Sequence, residues 1–256
     1  MARFFVVAAC ALLASSCGGG TDDERAARQT TVIDASPGRL TARPSTPTRD
    51  PDEQDGLIRI GSGDELLYVP PGAREADRNG LVVMLHGAGG SPGEGVAPFL
   101  ELADRAGLIL LAPRSKGATW DIVSGRWGPD VVAIDRLLKH VFARYAIDPE
   151  RVAVAGFSDG AGYALSLGLT NGDLFHWVVG FSPGFISVAK EHGSPRLFIS
   201  HGTQDLVLPI GRTSRGGVPR LRAAGYRVRY REFNGGHEVP AKIAREAVDW
   251  LVAGDG

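Results

Sequence analysis

Ser158 stands in Gly156-Phe157-Ser158-Asp159-Gly160, directly after the apolar run Val152-Ala153-Val154-Ala155 and before a stretch of small residues. A serine hydroxyl is a poor nucleophile near neutral pH, and Gly-x-Ser-x-Gly between a buried strand and a helix is an arrangement that exposes one to a neighbouring base. The two glycines let strand and helix approach closely around a sharp turn that projects the serine into a cleft above the sheet. The chemistry this suits is attack on a carbonyl carbon. It needs a base for the hydroxyl proton, an acid to orient that base, and donors for the oxygen that becomes negative.

His237 fits the base, in the loop Asn234-Gly235-Gly236-His237 after the strand-like stretch 226–233. For the chain order serine, acid, histidine, the acid comes from Asp159, Asp173, Glu191, Asp205 or Glu232. Asp205 fits best, because Ser200-His201-Gly202-Thr203-Gln204-Asp205 puts it just past an apolar run. Asp159 lies on the turn itself, Asp173 and Glu191 follow helical or irregular segments, and Glu232 lies within a strand. After the apolar run 81–85 comes His86-Gly87-Ala88-Gly89-Gly90. The backbone amides of Ala88 and Asp159 are expected to form the oxyanion hole. A dinucleotide site is a poor account of this loop, since Pro92 falls where the third glycine of Gly-x-Gly-x-x-Gly would stand.

These residues must be held by a sheet. Apolar runs at 81–85, 108–111, 152–155, 177–181 and 197–200 suit parallel strands covered on both faces, and 57–60 with 66–70 read as an opening hairpin at an edge. Helical patterns fall at 95–106, 130–145, 160–169, 212–224 and 239–252. In the second, Val132, Leu137, Leu138, Val141 and Phe142 are expected to form the apolar face, with Asp135, Arg136 and Lys139 toward water. The alternation predicts an α/β sandwich with right-handed crossovers.

The constellation resembles the α/β-hydrolase superfamily, and within it the compact serine esterases of the phospholipase/carboxylesterase and polyhydroxybutyrate-depolymerase-like groups. The resemblance spans about 57–252 and rests on His86-Gly87 with its following glycines, Gly156 to Gly160, His201 to Asp205, and Gly236-His237. It implies an α/β-hydrolase fold: a mostly parallel central sheet flanked by helices. Many members insert a cap between the strands that end here near Phe181 and begin near Leu197, but this chain has only about 15 residues there, so no large cap domain is expected. The site should be open, bounded by the loop 112–129. Trp120, Trp127, Phe157 and Phe185 are candidate substrate-binding residues. His86 and His201 read as supports for their loops. The reaction implied is cleavage of a carboxylic ester, small or polymeric, through an acyl-enzyme. A thioesterase or peptidase would use the same groups, and a non-catalytic cell-surface binding protein on a hydrolase scaffold is the reading from another class.

Composition narrows the partners. The 28 Lys and Arg against 29 Asp and Glu give a net charge of −1, no general reason to bind nucleic acid. Seven arginines between Arg212 and Arg231 read as exposed helix and strand faces. Both cysteines, Cys10 and Cys17, precede the domain, so it has no disulfide framework or thiol nucleophile, and no cofactor or metal is expected.

At the amino terminus, Arg3 precedes an apolar run from Phe4 to Ala14, the length of an export signal rather than a membrane span. Ala14-Ser15-Ser16-Cys17 resembles a bacterial lipoprotein signal, with Cys17 the lipidation candidate for a cell-envelope tether; Ala14 stands where leucine is usual. The expected organisation is a signal at 1–17, a disordered polar spacer at 18–55 and the domain at 56–254, exported as a lipoprotein or secreted. Oligomeric state is left open.

Overall fold

A computed structural model describes residues 38–52, 54–61, 63–188 and 190–253. The signal at 1–17, Cys17 and the first half of the expected spacer lie outside the described residues.

Among the described residues, eight strands form one sheet in the order β1-β2-β4-β3-β5-β6-β7-β8. β1 (Gly56–Arg59) and β2 (Leu66–Val69) are the expected antiparallel hairpin at one edge, and β2 runs antiparallel to β4 (Leu108–Ala112). From β4 onward, β3 (Asn79–Leu85), β5 (Ile147–Phe157), β6 (Trp177–Phe181), β7 (Arg196–Gly202) and β8 (Val228–Phe233) are parallel neighbours. Every residue of β3 is buried, because helices cover both faces of the sheet. The side chains divide with the two-residue period of a strand. Leu81, Val83 and Leu85 enter one core with α3 (Pro129–Phe142), α4 (Asp159–Thr170) and α5 (Ser214–Ala223). Val82 and Met84 enter the other with α1 (Pro92–Val96), α2 (Leu100–Ala106) and α6 (Ala241–Ala253). A three-residue 3-10 turn containing Pro98 separates α1 from α2, where one continuous helix was expected.

Two expectations are corrected. The apolar face of α3 is Val131, Ile134, Leu137, Leu138, Val141 and Phe142, all buried, whereas Val132 is 64% exposed. One residue is 100° of helix turn, enough to exchange core for water. The spacer predicted to reach residue 55 is tied to the domain at several points between residues 38 and 52. Leu40 and Ala42 are buried, the Leu40 amide donates to Asn171 Oδ1 at 2.8 Å, and the amides of Thr41 and Ala42 both donate to Asp135 Oδ1 at 2.7 Å. Arg39 makes a two-bond fork with Asp173 at 2.7 and 2.8 Å. That hydrogen bond is the main reason the Asp173 carboxyl lies well below the usual carboxylate range. These partners are more than 90 residues away in sequence, so the polar composition that suggested a spacer is satisfied by contacts no local pattern reveals.

Between β6 and β7 no helix occurs among the described residues.

Candidate active site

Ser158 caps α4 with φ 57° and ψ −120°, a backbone conformation that non-glycine residues rarely adopt. The turn is held closed by small residues. A Cβ at Gly156 would collide with the backbone of Gly160 and Ala161, and one at Gly160 with the carbonyls of Leu85 and His86. The Ser158 amide donates to the Phe181 carbonyl at 2.9 Å, fastening the turn to the end of β6.

His237 and Asp205 arrive on two loops that are fastened to each other. Thr203 N–H donates to the Phe233 carbonyl at 2.8 Å and Gln204 N–H to the Gly235 carbonyl at 2.9 Å. A Cβ at Gly202 would strike the carbonyls of Gly235 and Gly236, so a glycine is required where the backbones meet. The outcome is a continuous chain of side chains: Asp205 Oδ2 to His237 Nδ1 at 2.6 Å, and His237 Nε2 to Ser158 Oγ at 2.8 Å. A carboxylate only accepts, so Nδ1 carries the imidazole proton and Nε2 is free to accept from the serine hydroxyl.

Asp205 is buried, yet ionised. Burial alone would raise its pKa, but the Leu208 amide and then His237 outweigh that effect and hold the carboxyl below its ordinary value. The Val207 and Leu208 amides donate to Oδ1 at 2.9 and 2.8 Å, leaving Oδ2 for histidine. A second imidazole, that of the fully buried His201, has Nε2 at 3.2 Å from the same Oδ2 and at 2.8 Å from the Leu208 carbonyl. Its Nδ1 is 2.7 Å from Ser214 Oγ. Burial lowers the His201 pKa, which keeps the ring neutral beside His237.

The glycine loop after β3 is built around His86. Ser115 N–H donates to His86 Nε2 at 3.2 Å, so Nδ1 bears the proton and donates to the Gly87 carbonyl at 2.8 Å; Gly90 N–H donates to the same oxygen at 3.0 Å. Because the peptide is planar and trans, the Ala88 N–H points away from those two donors. Ala88 lines an open cleft of about 490 Å³ together with Met84, Phe99, Phe157, Phe181 and His237. Asp159 is the first residue of α4, where an amide has no acceptor within the helix.

The four aromatic candidates separate. Phe157 lines the cleft, its ring 4.7 Å from that of His237. Trp120 does not face the cleft, and that expectation is corrected: it is fully buried, its Nε1 donates to the His86 carbonyl at 2.9 Å, and its ring packs 5.1 Å from Tyr163. Trp127 is half-buried against the edge of Tyr163 and beside Gly38, and Phe185 packs on Gly162 of α4; neither is a cleft-lining residue. Indole and phenyl groups in a loop have the same sequence signal whether they pack inward or line a pocket. Sequence reasoning also missed Thr119, whose hydroxyl donates to Asp159 Oδ2 at 2.7 Å, since no motif marks a residue 40 positions away. Among the described residues, no group of three or more His, Cys, Asp or Glu side chains is placed to hold a metal ion.

A mostly parallel eight-stranded sheet with a strained serine turn at its centre is the α/β-hydrolase fold. The solved structure of esterase PE8 shares it, with a TM-score of 0.60 at 22% identity over 77% of this chain and 98% of that one. More narrowly, residues 64–197 match the Esterase PHB depolymerase family, and the chain belongs to that family. Among curated proteins, a probable feruloyl esterase C of Aspergillus oryzae is 31% identical over 170 residues, 63% of this chain and 62% of that protein. An acetylxylan esterase of Coprinopsis cinerea is 32% identical over 121 residues, 43% of this chain and 32% of that one. The chain thus matches somewhat under two thirds of the length of the feruloyl esterase.

Proposed function

We propose that this protein is a serine hydrolase that cleaves carboxylic esters through a covalent acyl-enzyme. The observation that carries the reading is the unbroken chain from Asp205 through His237 to Ser158, with links of 2.6 and 2.8 Å. His237 Nε2 takes the hydroxyl proton as Ser158 Oγ bonds to the ester carbonyl carbon. Asp205 remains ionised, holds the tautomer and offsets the imidazolium charge. The amides of Ala88 and Asp159 receive the oxyanion. Collapse breaks the bond to the alkoxy oxygen, which leaves as the alcohol with the proton from His237. Water then repeats the attack with His237 as base, releasing the acid and restoring Ser158.

Family membership supports the same reading. The partly buried Phe157 at the cleft, backed by Phe99 and Phe181 of the core, suits an aryl or short acyl group, and relatives named as feruloyl and acetylxylan esterases favour such esters. The amino-terminal pattern supports export, with lipid on Cys17 as the anchor; mass spectrometry of the mature amino terminus checks it by the mass added at that cysteine.

A fluorophosphonate probe should label Ser158, and Ser158→Ala should abolish labelling and lower ester turnover by about 10⁴-fold or more. Undiminished labelling and turnover in that variant would reject the assignment. A panel of short-acyl and feruloyl esters, thioesters and peptides then ranks the substrate classes, with esters expected first.

A further inference from the structure

Two consecutive residues of the loop after β4 hold the two backbone segments that carry the proposed oxyanion donors. Gly89 N–H, next to Ala88, donates to the Ala118 carbonyl at 2.7 Å, and the Thr119 hydroxyl donates to the Asp159 carboxylate at 2.7 Å. Resting on the reading of Ala88 and Asp159 as those donors, we propose that Thr119 is a positioning residue for ester cleavage. Its hydroxyl sets the serine turn against the glycine loop and draws the Asp159 carboxylate aside from the oxygen that becomes negative.

The spacing follows from covalent geometry. Neighbouring Cα atoms are about 3.8 Å apart across a trans peptide, so anchoring one segment at 118 and the other at 119 leaves little freedom between them. The loop supplying both anchors is itself fixed. Trp120 Nε1 donates to the His86 carbonyl, the Ser115 amide donates to His86 Nε2, and the buried Asp130 carboxylate accepts from the amides of Lys116 and Asp121 at 2.7 and 2.8 Å. A second argument is electrostatic. Asp159 carries a negative side chain on the residue whose amide must stabilise negative charge, and a carboxylate left free to turn toward that oxygen would oppose it. Thr119 is half-buried and its hydroxyl is committed to the Asp159 carboxylate, so it acts through Asp159 rather than on substrate.

The test compares the whole chain as wild type, Thr119→Val and Thr119→Ser. Readouts are kcat and KM for p-nitrophenyl acetate and the inhibition constant of a trifluoromethyl ketone, which forms a tetrahedral adduct with an activated serine. Thr119→Val should lower kcat about ten- to a hundredfold with KM little changed, the range expected for misplaced catalytic groups. It should weaken the ketone by a similar factor, and Thr119→Ser should recover activity to within about threefold of wild type. If the valine variant does not fold, Thr119→Ala takes its place with the same expectations. Unchanged kcat and ketone affinity in a folded variant without the hydroxyl would overturn the proposal, as would a serine variant as impaired as the valine one. Fluorophosphonate labelling of the wild type runs alongside. A labelled wild type with an unaffected valine variant removes this inference alone, whereas an unlabelled wild type removes the hydrolase reading and this inference with it.

Discussion

The loop after β4 and the loop after β7 both leave the carboxyl ends of parallel strands and both reach the site, yet they are built differently. The first, 113–128, leaves Arg114, Lys116, Val123 and Arg126 exposed but buries Ser115, Trp120 and Ile122, and its backbone and hydroxyl groups hold His86, Gly89 and Asp159. The second, 203–209, buries Asp205 but leaves Leu206 92% and Val207 66% exposed beside it. A loop that positions several separate groups must be fixed at several points, here between Ser115 and Asp121. The second loop delivers one carboxylate: the Thr203 and Gln204 amides and the Leu208 carbonyl fasten its backbone, and two of its own amides hold Asp205 Oδ1. Proximity to the site in sequence therefore says little about how much of a loop the fold depends on.

The comparison breaks first at Trp120. Trp120→Ala should destabilise the protein by about 3–5 kcal/mol, the range for truncating a buried aromatic, and free the His86 carbonyl from its donor. Chemical denaturation measures it, and a loss below about 1 kcal/mol would mean that the first loop is not the support described. Acidification should have an intermediate effect, because each region encloses one buried neutral imidazole. His86 and His201 both lie below the ordinary value of 6.5, chiefly through burial. Between the lowered folded value and 6.5 the unfolded chain binds more protons, so stability is complete above 6.5 and falls as pH is lowered through that window. The melting temperature followed downward from pH 7 should decline from about 6.5, and a flat profile would contradict the neutral state of the two buried rings. The smallest effect belongs to the second loop. Leu206→Ser should change stability by less than about 0.5 kcal/mol, as exposed substitutions do, and a larger loss would show that its side chain packs on something.

Much of the sheet was legible in the chain itself. Continuous apolar runs marked β3 to β7 because strands buried on both faces need no alternation, and Gly156 and Gly160 marked the serine turn because nothing larger fits there. Asp205 and His237 could be selected by chain order and by their places after apolar runs, and the structure brings Asp205 to His237 and His237 to Ser158. The register of α3 was one residue in error at Val132, since two adjacent valines carry the same apolar signal and only packing against the sheet distinguishes them. The segment 38–52 was misread for a different reason: its partners, Asp135, Asn171 and Asp173, are remote in sequence.

What the sequence determined alone was whatever depends on near neighbours: strand and helix periods, the tight serine turn, and the kinds of residue able to share a proton. Tertiary structure decided which indole supports a backbone and which phenyl faces the cleft, and it joined Thr119 to Asp159. Those outcomes depend on distances between groups far apart along the chain, and such distances exist only once the sheet has assembled.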